Sequence, residues 1–317
     1  MTRISEPLIA SEVGLLLEEA AAQAASLLLA AAREMRKDFD ALEQDRVNIL
    51  AGMDWCVRHE QWDMVVDYAH TVADFLDTRG HWHEARSRLT LAIEACQKLG
   101  NKRREGFLRH NLGIIYAYQG QYTEAREQYQ RCLALWETPG DKQGKGAALA
   151  QLGSTFLHEG NLEGAEPYYR QARAILEEAG DRQGVGTVLH SLGVIHAMRG
   201  DILTAVAYFE ESLRLKTELD DKQGMAAALH EIGLLYARIG RGDRARECYE
   251  ASLELWREVG DERGEAHTLA ALGYLTRSTD LAEARKLWRQ SLSIARRLQM
   301  PIASELSRLL QAENTPE

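Results

Sequence analysis

Four of the ten histidines stand at multiples of forty residues along the chain: His70, His110, His190 and His230. Imidazole titrates nearest neutrality of all side chains, and it can donate at one ring nitrogen while accepting at the other. A ladder of such rings would suit an extended peptide or an anionic ligand and would make binding sensitive to pH. Any single one of them reads more simply as a tolerated packing residue, so the chemistry attaches to the set. One metal ion shared between them does not fit. Equivalent side chains on successive packed helices lie about 10 Å apart, beyond the reach of one ion.

Other chemistry-bearing stretches lead to structural roles. His81-Trp82-His83-Glu84 has the composition of a metal cluster, but Trp82 falls in an apolar column shared with Trp62, Tyr122 and Leu162, so packing is expected there and no metal. Gly144-Lys145-Gly146 and Gly184-Val185-Gly186 lack the strand and the Lys-Ser/Thr of a phosphate loop. Gly144, Gly184, Gly224 and Gly264 recur every forty residues, which marks packing glycines. The chain has no Gly-x-Ser-x-Gly and no His-Glu-x-x-His, and Glu177-Glu178 and Glu210-Glu211 are expected on solvated faces. Neither an enzyme nor a cofactor is expected. Arg285, Lys286, Arg289, Arg296 and Arg297 crowd one late helix, where a solvated face is the expectation.

The elements that must position these residues are helices in register. Residues 181–220 overlay 141–180 and 221–260 after a shift of forty, the period of stacked helix pairs. Gly80, Gly120, Gly160, Gly200 and Gly240 end helices, as do Gly140, Gly180 and Gly260, each of these last three followed by an Asp that can cap the next helix. Asp220-Asp221 keeps that cap and replaces the glycine. Within a unit, columns such as Leu149, Leu152, Gly153, Phe156, Ala165, Tyr169 and Ala172 follow three- and four-residue spacings that share one helix face. Helices are predicted near 41–58, 62–79, 82–98, 102–119 and 122–138, after one long Ala/Leu-rich helix over about 7–37. Pro301 restarts a short last helix over 302–312, and the end is expected to fray.

Composition excludes several partners. Forty-eight acidic against 38 basic side chains leave a net charge of −10, which disfavours nucleic acid and anionic membranes. Cys56, Cys96, Cys132 and Cys248 form no CxxC, as expected of reduced thiols. Arg3, Glu6 and Glu12 precede any apolar run, so no secretory signal is predicted, and the apolar stretch Ala20–Ala32 counts as too short to span a membrane. A cytoplasmic location follows as the expectation.

The Leu-Gly-x2-Tyr…Ala-x3-Phe/Tyr-x2-Ala pattern of these units resembles the tetratricopeptide repeat, with Leu in the Trp column. The forty-residue unit is similar to those of kinesin light chains, of the Pins/LGN adaptors and of STAND ATPase tails. Residues 39–82 look most like the junction into a STAND tail, although no ATPase domain is expected within these residues. The resemblance implies an all-α, right-handed α-solenoid of antiparallel helix pairs with helical caps at both ends. Residues 1–40 would form the N-terminal cap, 41–300 the array and 301–317 the C-terminal cap and tail. It also implies that the first helix of each pair lines a concave groove. That places His70 and Asp74, then His110, Asn111 and Tyr118, then Gln151 and His158 on the groove. His190 follows, then His230, Glu231 and Arg238, and last Tyr274 and Arg277. Asp74 and Asp77 would make its first end acidic, and Arg238 and Arg277 its far end basic. A non-catalytic scaffold holding a peptide or protein segment is the leading expectation. The alternative is a sensory module that binds a small ligand or signalling peptide and controls a separate effector. Self-association through the N-terminal helix would make it an assembly subunit instead.

Overall fold

A computed structural model describes residues 6–136 and 141–312 of the chain. Gly140 of the second glycine series, Arg3 and the tail after Ala312 lie outside the described residues. Among those described there are fifteen α-helices and no strand: α1 (Glu6–Glu34), α2 (Phe39–Arg58), α3 (Trp62–Thr78), α4 (Trp82–Leu99), α5 (Lys102–Tyr118), α6 (Tyr122–Leu135), α7 (Lys142–His158), α8 (Leu162–Ala179), α9 (Arg182–Arg199), α10 (Ile202–Glu218), α11 (Lys222–Arg238), α12 (Gly242–Val259), α13 (Glu262–Thr276), α14 (Leu281–Arg297) and α15 (Ile302–Ala312). The chain packs as two compact units that divide between Asn161 and Leu162. The first holds α1–α7 and the second α8–α15.

The punctuation has the predicted chemistry. The side chains of Asp141, Asp181, Asp221 and Asp261 each accept from the backbone N–H three residues on, at 2.8–2.9 Å. Each bond satisfies one of the orphan donors of a helix N-terminus. Gly100, Gly180 and Gly260 close the preceding helices with φ of 66–72°. Asp220 takes the same left-handed conformation with φ 53°, strained for a residue with a Cβ.

The Leu-Gly glycines set the distance between the helices of a pair. A Cβ on Gly193 would stand 2.8 Å from the Phe209 ring, and one on Gly233 would stand 2.7 Å from Tyr249. The aromatic column therefore lies flat on the glycine of its own pair before it fills the space toward the next. One turn further on, Ser212, Ser252 and Ser291 are buried and donate to the backbone of the pair's first helix, at Gly186, Ala226 and Ala266, over 2.7–2.8 Å. The glycines after the Asp caps are packing glycines too: a side chain on Gly144 or Gly264 would meet the indole of Trp136 or Trp256.

In the first unit, α1 packs on α2 and α3 through Ala25, Leu29 and Ala32, and the Tyr68 hydroxyl donates to the Ala25 carbonyl. Leu15, Leu16, Leu17 and Leu27 remain exposed. Length corrects the sequence count here. The helical stretch Leu15–Glu34, 20 residues with Glu18, Glu19, Arg33 and Glu34 toward its two ends, is long and apolar enough by length and composition to cross a membrane, where Ala20–Ala32 alone is not. In the second unit, α15 covers α14 through Leu306 and Leu310, which share a core with Trp288 and Leu292. Three of the basic residues of α14 are engaged within the fold: Arg297 pairs with Glu262 at 2.7 Å, Arg296 donates to Ser307 and Lys286 pairs with Glu283 at 3.2 Å.

Candidate ligand-binding groove

In the first unit the faces of α3 and α5 meet at a cavity of about 420 Å³, which brings together His70 and Asn111 of the predicted set. Arg103, Arg104 and Phe107, which the repeat pattern does not single out, complete it. Arg104 pairs at 2.8 Å with Asp67, a carboxylate that also holds Arg33 at 2.6 Å. Asp74 is exposed, and the Asp77 carboxyl is pushed up by burial and then by the neighbouring Asp74. The acidic first end expected from the sequence is therefore incomplete, because two guanidinium groups stand beside His70. Tyr118 projects into solvent, 67% exposed. Gln151 is half-buried on α7, and His158 lies stacked on Tyr122, ring to ring at 5.8 Å.

The histidine column corrects the expectation of pH sensitivity. His110 faces Tyr129 at 5.7 Å, His190 meets Phe209 edge-on at 5.0 Å, and His230 faces Tyr249 at 5.7 Å. Three of the four imidazoles thus pack against the aromatic column of their own pair. Burial, helped at His190 by the Lys216 charge and at His230 by that of His267, drives both pKa values down to about 4. Burial lowers His110 as well, and its Nε2 is buried without a partner. These rings are neutral near pH 7, and His230 shares a hydrogen bond of 3.0 Å with the buried Thr268 hydroxyl. His70 alone of the column is exposed.

In the second unit a cavity of about 520 Å³ opens between α11 and α13. It assembles three of the predicted residues, His230, Arg238 and Tyr274, with Leu234, His267 and Ile302. Its walls are mostly apolar, with Arg238 as the charged group. The Tyr274 hydroxyl donates to Glu305 of α15 at 2.6 Å, so the C-terminal helix helps to hold the ring. Glu231 is half-buried on α11, and Arg277 lies exposed outside the cavity lining.

The repeat pattern also hides a buried charge network. Arg109 occupies the column filled by Leu149, Leu189, Leu229 and Leu269. It is buried and paired with Glu105 at 2.7 Å, and it donates to Gln128 while Gln97 donates to the same Glu105. A charged residue standing in a leucine column is the signal that marks it. Among the described residues no group of three or more His, Cys, Asp or Glu side chains could hold a metal ion, and His81 hydrogen-bonds to Glu43 at 2.8 Å. The buried thiols of Cys56 and Cys96 are pushed up to about 11, which keeps them protonated and inert.

No protein of curated function matches the chain. Among solved structures it is similar to a Signal Transduction ATPase with Numerous Domains (STAND) protein with a tetratricopeptide repeat sensor from Pyrococcus horikoshii, at 17% identity and a TM-score of 0.68 over 91% of this chain and 44% of that one. The apo form of the quorum sensor NprR from B. thuringiensis matches at 16% identity and a TM-score of 0.64, covering 91% and 86%. A Rap protein complexed with competence and sporulation factor matches at 13% identity and a TM-score of 0.58, covering 92% and 97%. At these identities the likeness is one of fold, and none of the comparisons indicates a family of enzymes. The tetratricopeptide repeat model matches residues 67–138, 146–218 and 224–298, well over half of the sequence, and the chain belongs to the tetratricopeptide repeat family.

Proposed function

We propose that the protein is a non-catalytic binding module that holds a peptide or protein segment against the first helices of its repeats. The observation that carries this is the cavity between α11 and α13. Three side chains from the first-helix columns converge there, with an exposed guanidinium and mostly apolar walls. Neither the cap bonds nor the glycine contacts of the repeat require Arg238 or Tyr274 to be what they are. The Rap structure, bound to competence and sporulation factor, supports the same use of this fold. The test is recovery of partners from a native-host extract on immobilised protein, beside Arg238→Ala and Tyr274→Ala variants of unchanged helicity. Loss of the same partner from both variants is expected. Recovery identical to the wild type would remove the groove from the account.

The likeness to a repeat sensor, a quorum sensor and a Rap protein favours a second use of the same surface, a sensory module acting on a separate effector. A thermal-shift screen separates the two. Stabilisation by a small ligand or a short peptide without any protein partner supports the sensor. Self-association through α1 is supported by the exposed Leu15, Leu16, Leu17 and Leu27 on that helix. Light scattering on the full chain and on a Leu16→Glu/Leu27→Glu variant tests it, a monomer in both cases being the contrary result.

A further inference from the structure

Glu231, Leu234 and Arg238 follow one another at three and seven residues on α11 and so stand in a row on one face. Glu231 is half-buried, and its carboxyl has neither a hydrogen bond nor an ion pair among the described residues. The neighbour it does feel is the Tyr249 phenol, whose ionisation it opposes. Burial alone pushes its carboxyl above the usual range. Elsewhere in the unit half-covered carboxylates are answered: Glu211 by Arg173 at 2.8 Å, Glu265 by Arg257 at 2.8 Å and Glu262 by Arg297 at 2.7 Å.

The repeat does not need a charge at this position. The same column holds Asn111, Gln151, Ser191 and Ala271 in the other copies. A carboxylate drawn partly out of water without a partner opposes folding, so its presence calls for something outside the fold to answer it. Two helical turns on, Arg238 donates one N–H to the Ala197 carbonyl at 3.3 Å and otherwise faces solvent. Between the two on α11 lies Leu234, 37% exposed, while Met198 of α9, 58% exposed, holds the place of Arg238 in the preceding copy.

We propose that this row is a subsite for a peptide segment carrying a cationic group, an apolar side chain and a carboxylate in that order. The cation sits on Glu231, the apolar side chain on Leu234, and the carboxylate on Arg238. Seven residues at about 1.5 Å each put the two charged ends roughly 10 Å apart, and an extended peptide spans that distance in about three residues. This rests on the peptide-binding use of the groove proposed above and adds the class of ligand.

The probe is a set of blocked, fluorescent peptides of the form Lys-Leu-x-Glu, with norleucine for the lysine or glutamine for the glutamate as controls. An unblocked norleucine peptide tests whether an amino terminus serves as the cation. The wild type should retain the lysine or free-amine forms at least tenfold better than the blocked norleucine form. Glu231→Gln should abolish that preference while the neutral peptides still bind, and Arg238→Gln should abolish the preference for glutamate. Peptides retained without regard to the cation, or a preference that survives Glu231→Gln, overturn the subsite and leave the groove standing. Failure of every peptide to bind overturns both. A measurement without ligand guards against a merely structural Glu231. Glu231→Gln should raise the Tm by about 2–4 °C, as expected when an unanswered charge is removed, whereas a fall would contradict the proposal.

Discussion

At the scale of single residues, the most informative positions are those where one copy departs from the column. Arg109 replaces a core leucine and is tolerated because Glu105 and Gln128 answer it at 2.7 and 3.1 Å. Glu105→Ala would strand a buried guanidinium and should cost about 3–5 kcal/mol in urea denaturation. The double change Glu105→Met/Arg109→Leu should be close to neutral, and a large loss there would show that the pair does more than satisfy itself. Asp220 departs in the backbone. Asp220→Gly should relieve its positive φ and raise stability by about 0.5–1 kcal/mol, read as a higher Tm. His190 and His230 carry the pH dependence. Their folded pKa of about 4 lies below the ordinary 6.5, so the unfolded chain binds more protons between those values. The stability they contribute is present above about pH 6.5 and is lost as the pH falls toward 4, by up to about 3 kcal/mol each. Denaturation at pH 7.5 and 4.5 should show that loss, and His190→Gln should shrink it.

At the scale of the helix pair, the spacing between helices is fixed by the glycine and the ring laid on it. Gly193→Ala must push Phe209 from a contact of 2.8 Å, and about 1–3 kcal/mol of destabilisation is expected. Gly233→Ala should behave alike against Tyr249. An unchanged midpoint in both would mean that the pairs can slide apart freely. This level of the fold is legible in the sequence because each element repeats its own signals: the Asp that accepts from the N–H three residues on, the glycine at the helix end and the small residue opposite an aromatic. What the pattern cannot show is pairing through space. The link from Arg109 to Gln128 crosses nineteen positions and two helices, and that from Gln97 to Glu105 crosses a turn. The cavity at His70 likewise depends on Arg103 and Arg104, which lie outside the columns that implied the groove. The histidine ladder misled for a related reason. Spacing placed the rings on one helix column but could not show that three of them pack against the aromatic ring of their own pair.

At the scale of the whole molecule, repetition builds the frame, and under the function proposed above the departures from it supply recognition. The cap bonds, the glycine contacts and the buried serines recur from copy to copy, so they cannot distinguish one ligand from another. Arg238, Tyr274 and Glu231 vary between copies, and two of the three line the cavity of the second unit. The central claim is that partners are met on this face. The most direct test places a photo-crosslinking phenylalanine derivative at Tyr274 in one protein and at Leu203 in another. Leu203 is 81% exposed on α10, the second helix of its pair. After irradiation in a native-host extract, the account predicts a discrete adduct from position 274 and none from position 203. Adducts of the same partner from position 203, with none from 274, would contradict it.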